Sequence, residues 1–157
     1  MTERVRAVLV THGLTGDITE LPEPGPTAAA TAAQLGCEVG AIANSLVFSV
    51  NGTPLLVLAS GAHRVDTRKV ARLLGVGRAK IRSASPEFVR QVTGQEVGGV
   101  APVGHPQPLR TLVDVHLDNF PHVWAGAGLH HTVFRTTFTE LLKLTDGEAA
   151  DIKEITA

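Results

Sequence analysis

The sequence lacks several features that common protein classes need. It has one cysteine, Cys37, which excludes an internal disulfide framework and a zinc site built from clustered cysteines. No apolar run approaches the roughly 18–20 residues of a membrane span, and no apolar run adjoins a basic one near the N-terminus, so we expect neither a membrane segment nor a signal peptide. The formal net charge of -1 argues against nucleic-acid binding through overall charge alone. These absences favour a cytoplasmic globular protein.

Aromatic residues are also scarce. The chain has no tyrosine, one tryptophan and five phenylalanines, so extensive stacking of bases on aromatic rings is not expected. There is nevertheless enough apolar material for a core, because 43% of the 157 residues are hydrophobic and only 18% are charged. This composition is typical of one globular domain, and we expect that domain to span residues 1–157.

Local signals predict helices that alternate with strands. Caps and stop glycines such as Thr27, Gly36, Asp66 and Gly75 mark helix ends. The predicted helices are residues 3–12, Ala28–Leu35, Thr67–Leu74, a segment opened by Ser85-Pro86-Glu87 and closed by Gly94, and a segment opened by a capping box of Thr137 and Glu140.

The strongest strand signal is a β-hairpin. Residues 45–50 and 54–59 flank Asn51-Gly52, a dipeptide that suits a type I′ turn. The second strand is almost wholly apolar, which indicates a central strand covered on both faces. Further strands are predicted at 18–21, 80–84, 109–113, 123–125 and 132–135, with a helical turn at 115–120 and a frayed acidic tail at 146–157. This mixture predicts an α+β fold in a single domain, with helices packed on a mixed sheet.

Two features suggest chemistry, although the standard nucleophile, phosphate-loop and metal motifs are missing. The first is the glycine-rich loop 98–106, whose backbone N–H groups suit a developing negative charge on a carbonyl oxygen; a tight structural connection is the alternative. The second is a basic cluster with Asp66 as its only acid, which suits a phosphate backbone or is simply a solvated face. Its members are Arg64, Arg68, Lys69, Arg72, Arg78, Lys80 and Arg82.

Several motifs, in order, resemble the YbaK/ProX family. They cover residues 27–145 and comprise 27–30, 39–48, 56–61, 64–66, 93–94, 97–105 and Asp114. The resemblance implies a mixed, bent sheet with flanking helices. It also implies hydrolysis of wrongly charged aminoacyl-tRNA in trans, without a metal or other cofactor, by a protein related to the editing domain of prolyl-tRNA synthetases. The partners implied are aminoacyl-tRNA and prolyl-tRNA synthetase.

The resemblance also implies roles for particular residues. Gly98, Gly99 and Pro102 would shape the loop that places backbone amides around the ester carbonyl, and the substrate's own terminal ribose hydroxyl would assist. Substrate-binding positions would be Thr27, Asn44, Ser45, Gly104, His105, Gly126, Gly128 and His130. The basic cluster, rather than the resemblance, predicts the contacts with tRNA, at Arg64, Arg68, Lys69 and Arg72. His12, His63, His116 and His122 are expected to be structural or surface residues.

One position departs from the family pattern. Most active members carry lysine where Asn44 stands, and asparagine keeps hydrogen bonding but loses the positive charge and the reach. A second hypothesis is therefore a non-catalytic module that binds a tRNA end or a small ligand. A third is an unrelated hydrolase of another small ester or thioester.

Overall fold

Five helices occur in the residues that the computed structural model describes, 2–25 and 27–155. Their limits follow the predicted caps: Thr27 Oγ1 accepts a hydrogen bond from Ala30 N at 3.1 Å, and Asp66 Oδ1 accepts one from Arg68 N at 2.9 Å. The prediction of five helices is therefore confirmed. They are α1 (Thr2–Thr11), α2 (Ala28–Leu35), α3 (Thr67–Leu74), α4 (Pro86–Thr93) and α5 (Phe138–Thr145).

Eight strands in the same ranges form one mixed sheet. Seven of them follow the order β1-β7-β6-β2-β3-β5-β8, and β4 pairs with β2 beside this path. The α+β fold with a mixed sheet and flanking helices is thus confirmed. The strands are β1 (Thr19–Glu20), β2 (Ile42–Val50), β3 (Thr53–Ser60), β4 (Ile81–Ser83), β5 (Arg110–Asp114), β6 (Val123–Gly126), β7 (Thr132–Thr136) and β8 (Glu148–Ala150).

The predicted hairpin is β2–β3. Asn51 and Gly52 have φ of 53° and 88°, as a type I′ turn requires, and Val50 pairs with Thr53 across the turn. The sheet places β3 between β2 and β5, and its residues from Leu55 to Ser60 are all buried. The prediction of a central strand covered on both faces is confirmed.

The two faces of the sheet carry different helices. One face, which we call the α1 face, packs Val47, Leu56 and Leu58 against α1, α4, α5 and the loop after α4. The other, the α3 face, packs Phe48 and Val57 against α3. Alternate residues of a strand point to opposite faces, so neighbouring residues of β2 serve different cores. No helix in the described ranges combines the length and apolar character needed to cross a membrane.

The acidic tail packs against the domain at residues 148–154, so the prediction of fraying is wrong there, and residues 156–157 lie outside the described ranges. β8 pairs in parallel with β5, and Ile152 is fully buried. The backbone of Asp66 donates to Ile152 O at 2.8 Å, which fixes the segment against the start of α3. The prediction of fraying relied on the acidic residues of the tail. Ala150 and Ile152, which lie between them, make apolar contacts in the core of the α3 face.

Candidate functional site

The outer edge of β2, on the side away from β3, has a gap in its pairing. β6 pairs with Ile42 and Ala43, and β4 pairs only from Phe48 onwards. The last hydrogen bond next to the β4 ladder runs from Ala84 N to Val47 O at 3.1 Å. Residues 44–46 therefore lie on an edge that neither neighbouring strand covers.

Ser45 presents its backbone at this gap. Backbone groups of successive strand residues alternate between the two edges. Ile42 O accepts from Gly61 N on the β3 side, whereas Val47 O accepts on the outer side, so Ser45 N–H and C=O point outwards. Ser45 Oγ is also buried, with no hydrogen-bond partner among the described residues. The gap thus holds three polar groups of one residue that the protein itself leaves unused.

A cavity of about 320 Å³ opens at the gap. Its walls come from β2, β6, the start of α2, the loop after α4 and the turn before β7. Among the described residues that line it there is no lysine, arginine, aspartate or glutamate, and His130 is the one ionisable side chain. The cavity therefore offers hydrogen bonds and shape rather than charge.

The glycine-rich loop forms one wall of the cavity by close backbone contact. A Cβ on Gly99 would lie 2.9 Å from the carbonyl carbon of Leu129, and a Cβ on Gly126 would lie 2.7 Å from Val100 O. Gly98 has φ of +91°, in the left-handed region that favours glycine. These positions require glycine because the backbones of the loop, β6 and the turn before β7 are in direct contact there, and a Cβ would not fit between them.

The two residues of this loop that line the cavity, Gly98 and Val100, both have unused amide donors. Gly99 N–H donates to Glu96 O at 3.0 Å, which closes a turn. Gly98 N–H and Val100 N–H make no hydrogen bond within the described ranges. Amides held in this way are suited to an oxygen that gains negative charge.

Gln95 anchors the loop, and sequence reasoning missed it. Its side chain is 1% exposed. Gln95 Oε1 accepts from Ala101 N at 2.6 Å, and Nε2 donates to Val103 O at 3.3 Å. Thr93 Oγ1 in turn accepts from Gln95 N at 3.0 Å. No sequence pattern marks a buried amide that spans its own loop, which explains the omission.

The residues predicted to be catalytic or substrate-binding fall into two groups. Thr27, Asn44, Ser45, Gly98, Gly126 and His130 line the cavity together. The hydroxyl of Thr27 already caps α2, so its role there is at least partly structural. The carboxamide of Asn44 makes no hydrogen bond among the described residues and faces the opposite side of the sheet from Ser45.

The second group belongs to the later part of the loop, which faces away from the cavity at Ser45. Pro102, Gly104 and His105 line a separate cavity of about 180 Å³, together with residues of α1 and α5. His105 Nε2 donates to Ala101 O at 2.8 Å, and burial lowers the pKa of this imidazole. These residues hold the loop from its far side, and they do not reach the cavity at Ser45.

Gly128 and the basic residues are placed as follows. Gly128 has φ of +108° in the turn that carries His130. Arg68, Lys69 and Arg72 lie on α3, on the α3 face, and Arg64 precedes that helix. Lys69 Nζ lies 3.2 Å from Asp151 Oδ1.

Trp124 was also missed as a lining residue. It pairs with Ile42 at the point where β6 joins β2, and it is half-buried. A single tryptophan among short strands carries no sequence signal for a pocket. His130 lies at the same mouth, and its Cδ2 would be 3.7 Å from a Cβ on Gly98.

Comparisons with known proteins identify similar chains. A sequence model described as "Aminoacyl-tRNA editing domain" matches residues 22–144. The uncharacterised protein YwhH of Bacillus subtilis is 32% identical over 126 residues, which is 80% of this chain and 78% of that protein. A proline–tRNA ligase of Nitratidesulfovibrio vulgaris is 31% identical over 142 residues, 89% of this chain but 24% of the ligase.

A solved structure extends this similarity to the whole fold. The crystal structure of a proposed trans-editing enzyme for prolyl tRNA synthetase superposes with a TM-score of 0.90 at 42% identity. The match covers 98% of this chain and 97% of the other. The fold that the family resemblance implies is therefore confirmed.

Proposed function

Because the chain belongs to the aminoacyl-tRNA editing domain family, we propose that it hydrolyses tRNA that carries a wrong, small amino acid, acting in trans, with tRNA-Pro as the first candidate. The observation that carries the proposal is the uncharged cavity at Ser45, with unused amides of the glycine-rich loop beside it. Positioning and hydrogen bonding are what this cavity offers, and an aminoacyl ester is already activated enough to need little more.

The proposed reaction is an ordinary ester hydrolysis. A water oxygen bonds to the ester carbonyl carbon, the bond from that carbon to the ribose oxygen breaks, and the ribose oxygen leaves with a proton. Gly98 N–H and Val100 N–H stabilise the negative charge on the carbonyl oxygen. Proton transfer is assigned to the neighbouring ribose hydroxyl of the substrate, as the family resemblance implies.

Ser45 and Asn44 hold the substrate in this proposal. Ser45 supplies an acceptor and two donors at the β2 edge, which suit the α-amino and carbonyl groups of an aminoacyl ester. Asn44 supplies a neutral amide where most active relatives have lysine. The terminal nucleotide is therefore held here by hydrogen bonds without a formal charge.

Cavity size sets the amino-acid preference. About 320 Å³ must accommodate the amino-acid side chain and part of the terminal ribose, so bulky side chains are excluded by steric clash. Discrimination against a smaller side chain is weak, at about 1–3 kcal/mol per methylene. We therefore expect alanine, serine, cysteine or threonine esters to be accepted according to size.

The direct test is a deacylation panel. Purified protein is incubated with tRNA-Pro charged with Ala, Cys, Ser, Thr or Pro, and the remaining ester is followed against a protein-free control. We expect one or two small mischarged species to be hydrolysed above the protein-free rate, and Pro-tRNA-Pro serves as the correctly charged comparison. Spontaneous rates for all species would overturn the proposal.

Asn44 favours a second candidate, a module that binds the charged tRNA end without hydrolysis. Asn44→Lys separates the two. Lower activity of the variant than of the wild type indicates that Asn44 is adapted to its own substrate. Activity that appears only in the variant indicates that the natural chain is a binder.

A further inference from the structure

We propose that the acceptor end of the tRNA leaves the cavity along β2 towards β4, where Arg82 and Lys80 bind its phosphates. The identity of the nucleic acid rests on the proposed function, and the path rests on the geometry. We call this path the β2–β4 groove and define it by Ser45, Ser49 and Arg82.

Three depressions follow one another along β2. The cavity at the gap is lined by residues 42–46, the next depression by 45–48, and the third by Ser49, Asn51 and Gly52. The first two share Ser45, Leu46, Val97, Gly98 and Val100, so they are continuous. From Ser45 to Ser49 the strand advances about 13 Å, which gives a polynucleotide room to run along it.

The second observation is the face on which Arg82 lies. Val47 belongs to the core of the α1 face, so Ser45 and Ser49 share that face by alternation. Arg82 is directly opposite Ser49 in the β2–β4 pairing, and directly opposite residues point to the same face. Arg82 therefore stands on the same side of the sheet as Ser45 and the glycine-rich loop.

The third observation is charge. Arg82 and Lys80 are exposed, and neither side chain has a hydrogen bond or an ion pair among the described residues. The depression that they line contains no carboxylate, and neither do the two that precede it. Free cations beside an uncharged cavity fit a ligand whose end is neutral and whose next segment carries phosphates.

The rim between the cavity and the cations is apolar. Leu46 and Val97 are 39% and 52% exposed, and both line the two connected depressions. Exposed apolar side chains at this position provide a surface for unpaired bases at the 3′ end. The order of these surfaces matches the order of groups at a tRNA end. The apolar rim would contact the single-stranded bases, and the cations would contact the duplex phosphates that follow.

The helix α3 offers a rival path. Its exposed Arg68 and Arg72 are also unpaired, but α3 covers the α3 face, on the other side of the sheet from Ser45. A strand that reached α3 from the glycine-rich loop would have to cross the sheet edge. The β2–β4 groove needs no such crossing from Ser45, whereas a terminal nucleotide held by Asn44 would already lie on the side of α3, so the test below compares the two paths directly.

The test measures the affinity of three double charge-reversal variants for a fluorescently labelled tRNA-Pro acceptor minihelix that carries no amino acid. The groove variant is Lys80→Glu with Arg82→Glu, the rival is Arg68→Glu with Arg72→Glu, and the control is Arg4→Glu with Lys143→Glu. Each variant replaces two cations by two glutamates, so the net charge changes by the same amount in all three. Because all six positions are exposed, we expect the three proteins to keep the wild-type thermal midpoint. A milder groove variant, Lys80→Gln with Arg82→Gln, serves if the reversal does not fold.

We expect the groove variant to weaken minihelix binding by about tenfold or more, and to reduce the slope of log affinity against log salt by about two. The rival and control variants should stay within about twofold of the wild type. A larger loss in the α3 variant, equal losses in all three, or no binding by the wild type would each overturn the path. Because the minihelix carries no ester, its binding is independent of hydrolysis. Wild-type binding of the minihelix together with spontaneous rates in the deacylation panel would contradict only the proposed hydrolysis.

Discussion

His63 Nε2 lies 2.6 Å from Asp114 Oδ2, in a pair whose side chains are 7% and 1% exposed. The same carboxylate accepts from the backbone N–H of Ser60 and of His116, each at 2.9 Å. Asp114 therefore ties the end of β3 to the end of β5 and to the turn that follows. Neither side chain lines the cavity at Ser45, and the structural role expected for His63 stays a prediction.

Replacement of Asp114 should be among the most destabilising changes in the chain. Asp114→Ala leaves two buried amides and His63 without their acceptor, and we expect the free energy of unfolding to fall by about 3 kcal/mol. Urea denaturation measures this. Asp118→Ala, an exposed carboxylate in the adjacent turn, is the matched control and should change stability by less than about 0.5 kcal/mol. Equal effects would show that the carboxylate network contributes little.

Gln95→Leu should loosen the glycine-rich loop. The substitution keeps the side-chain size but leaves Ala101 N and Val103 O without partners, at a cost of about 2 kcal/mol. We expect faster hydrogen exchange at the amides of Gly98 to Ala101 and a lower rate of deacylation. Gln91→Leu, at an exposed site on α4, is the control. Unchanged exchange in the loop would show that Gln95 does not anchor it.

His105 should contribute a pH dependence to stability. Because burial lowers its pKa in the folded protein, the unfolded chain binds more protons once the pH falls below the ordinary value of about 6.5. Stability linked to His105 is therefore complete above that value and is lost as the pH falls towards the lower folded pKa. His105→Gln should show a smaller drop in unfolding free energy than the wild type between about pH 7.5 and about pH 5.5. Identical drops would contradict the assignment.

Gly126→Ala should displace the glycine-rich loop and so disrupt the site. Its Cβ would lie 2.7 Å from Val100 O, a backbone atom, so the glycine-rich loop must move away from β6. We expect deacylation to fall more than about tenfold, since loss of preorganised amide donors costs at least that much. Gly77→Ala, where a Cβ meets nothing within 4 Å, should leave the rate unchanged. Retained activity in Gly126→Ala would place the reaction away from this loop.

Helix limits and the hairpin could be predicted because the deciding interactions are local. Thr27 and Ser85 each accept from the amide three residues ahead, and Asn51-Gly52 forms its turn within the dipeptide. Such signals span a few residues, and a single sequence contains them completely.

The arrangement of the site could be predicted only in part. The structure brings Asn44, Ser45 and His130 to one cavity and places Pro102 and His105 at a separate one, and the roles of all five residues stay predictions. The gap at Ser45 depends on which distant strands pair with β2, and pairing over long separations leaves no local pattern. The same reason explains the error in the tail, where β8 is defined by its pairing with β5.

The two-residue turn at Asn51-Gly52 has a consequence for the chemistry at the other end of β2. It fixes the pairing of Val50 with Thr53, and this pairing fixes the alternation that gives Ser45 one face and Asn44 the other. If one residue were inserted at the turn and β2 shifted by one position against β3, each of the two side chains would move to the opposite face of the sheet. The backbone N–H and C=O of Ser45 would then point towards β3. The side chain that β2 presents at the cavity is thus encoded in the length of a turn at the opposite end of the strand.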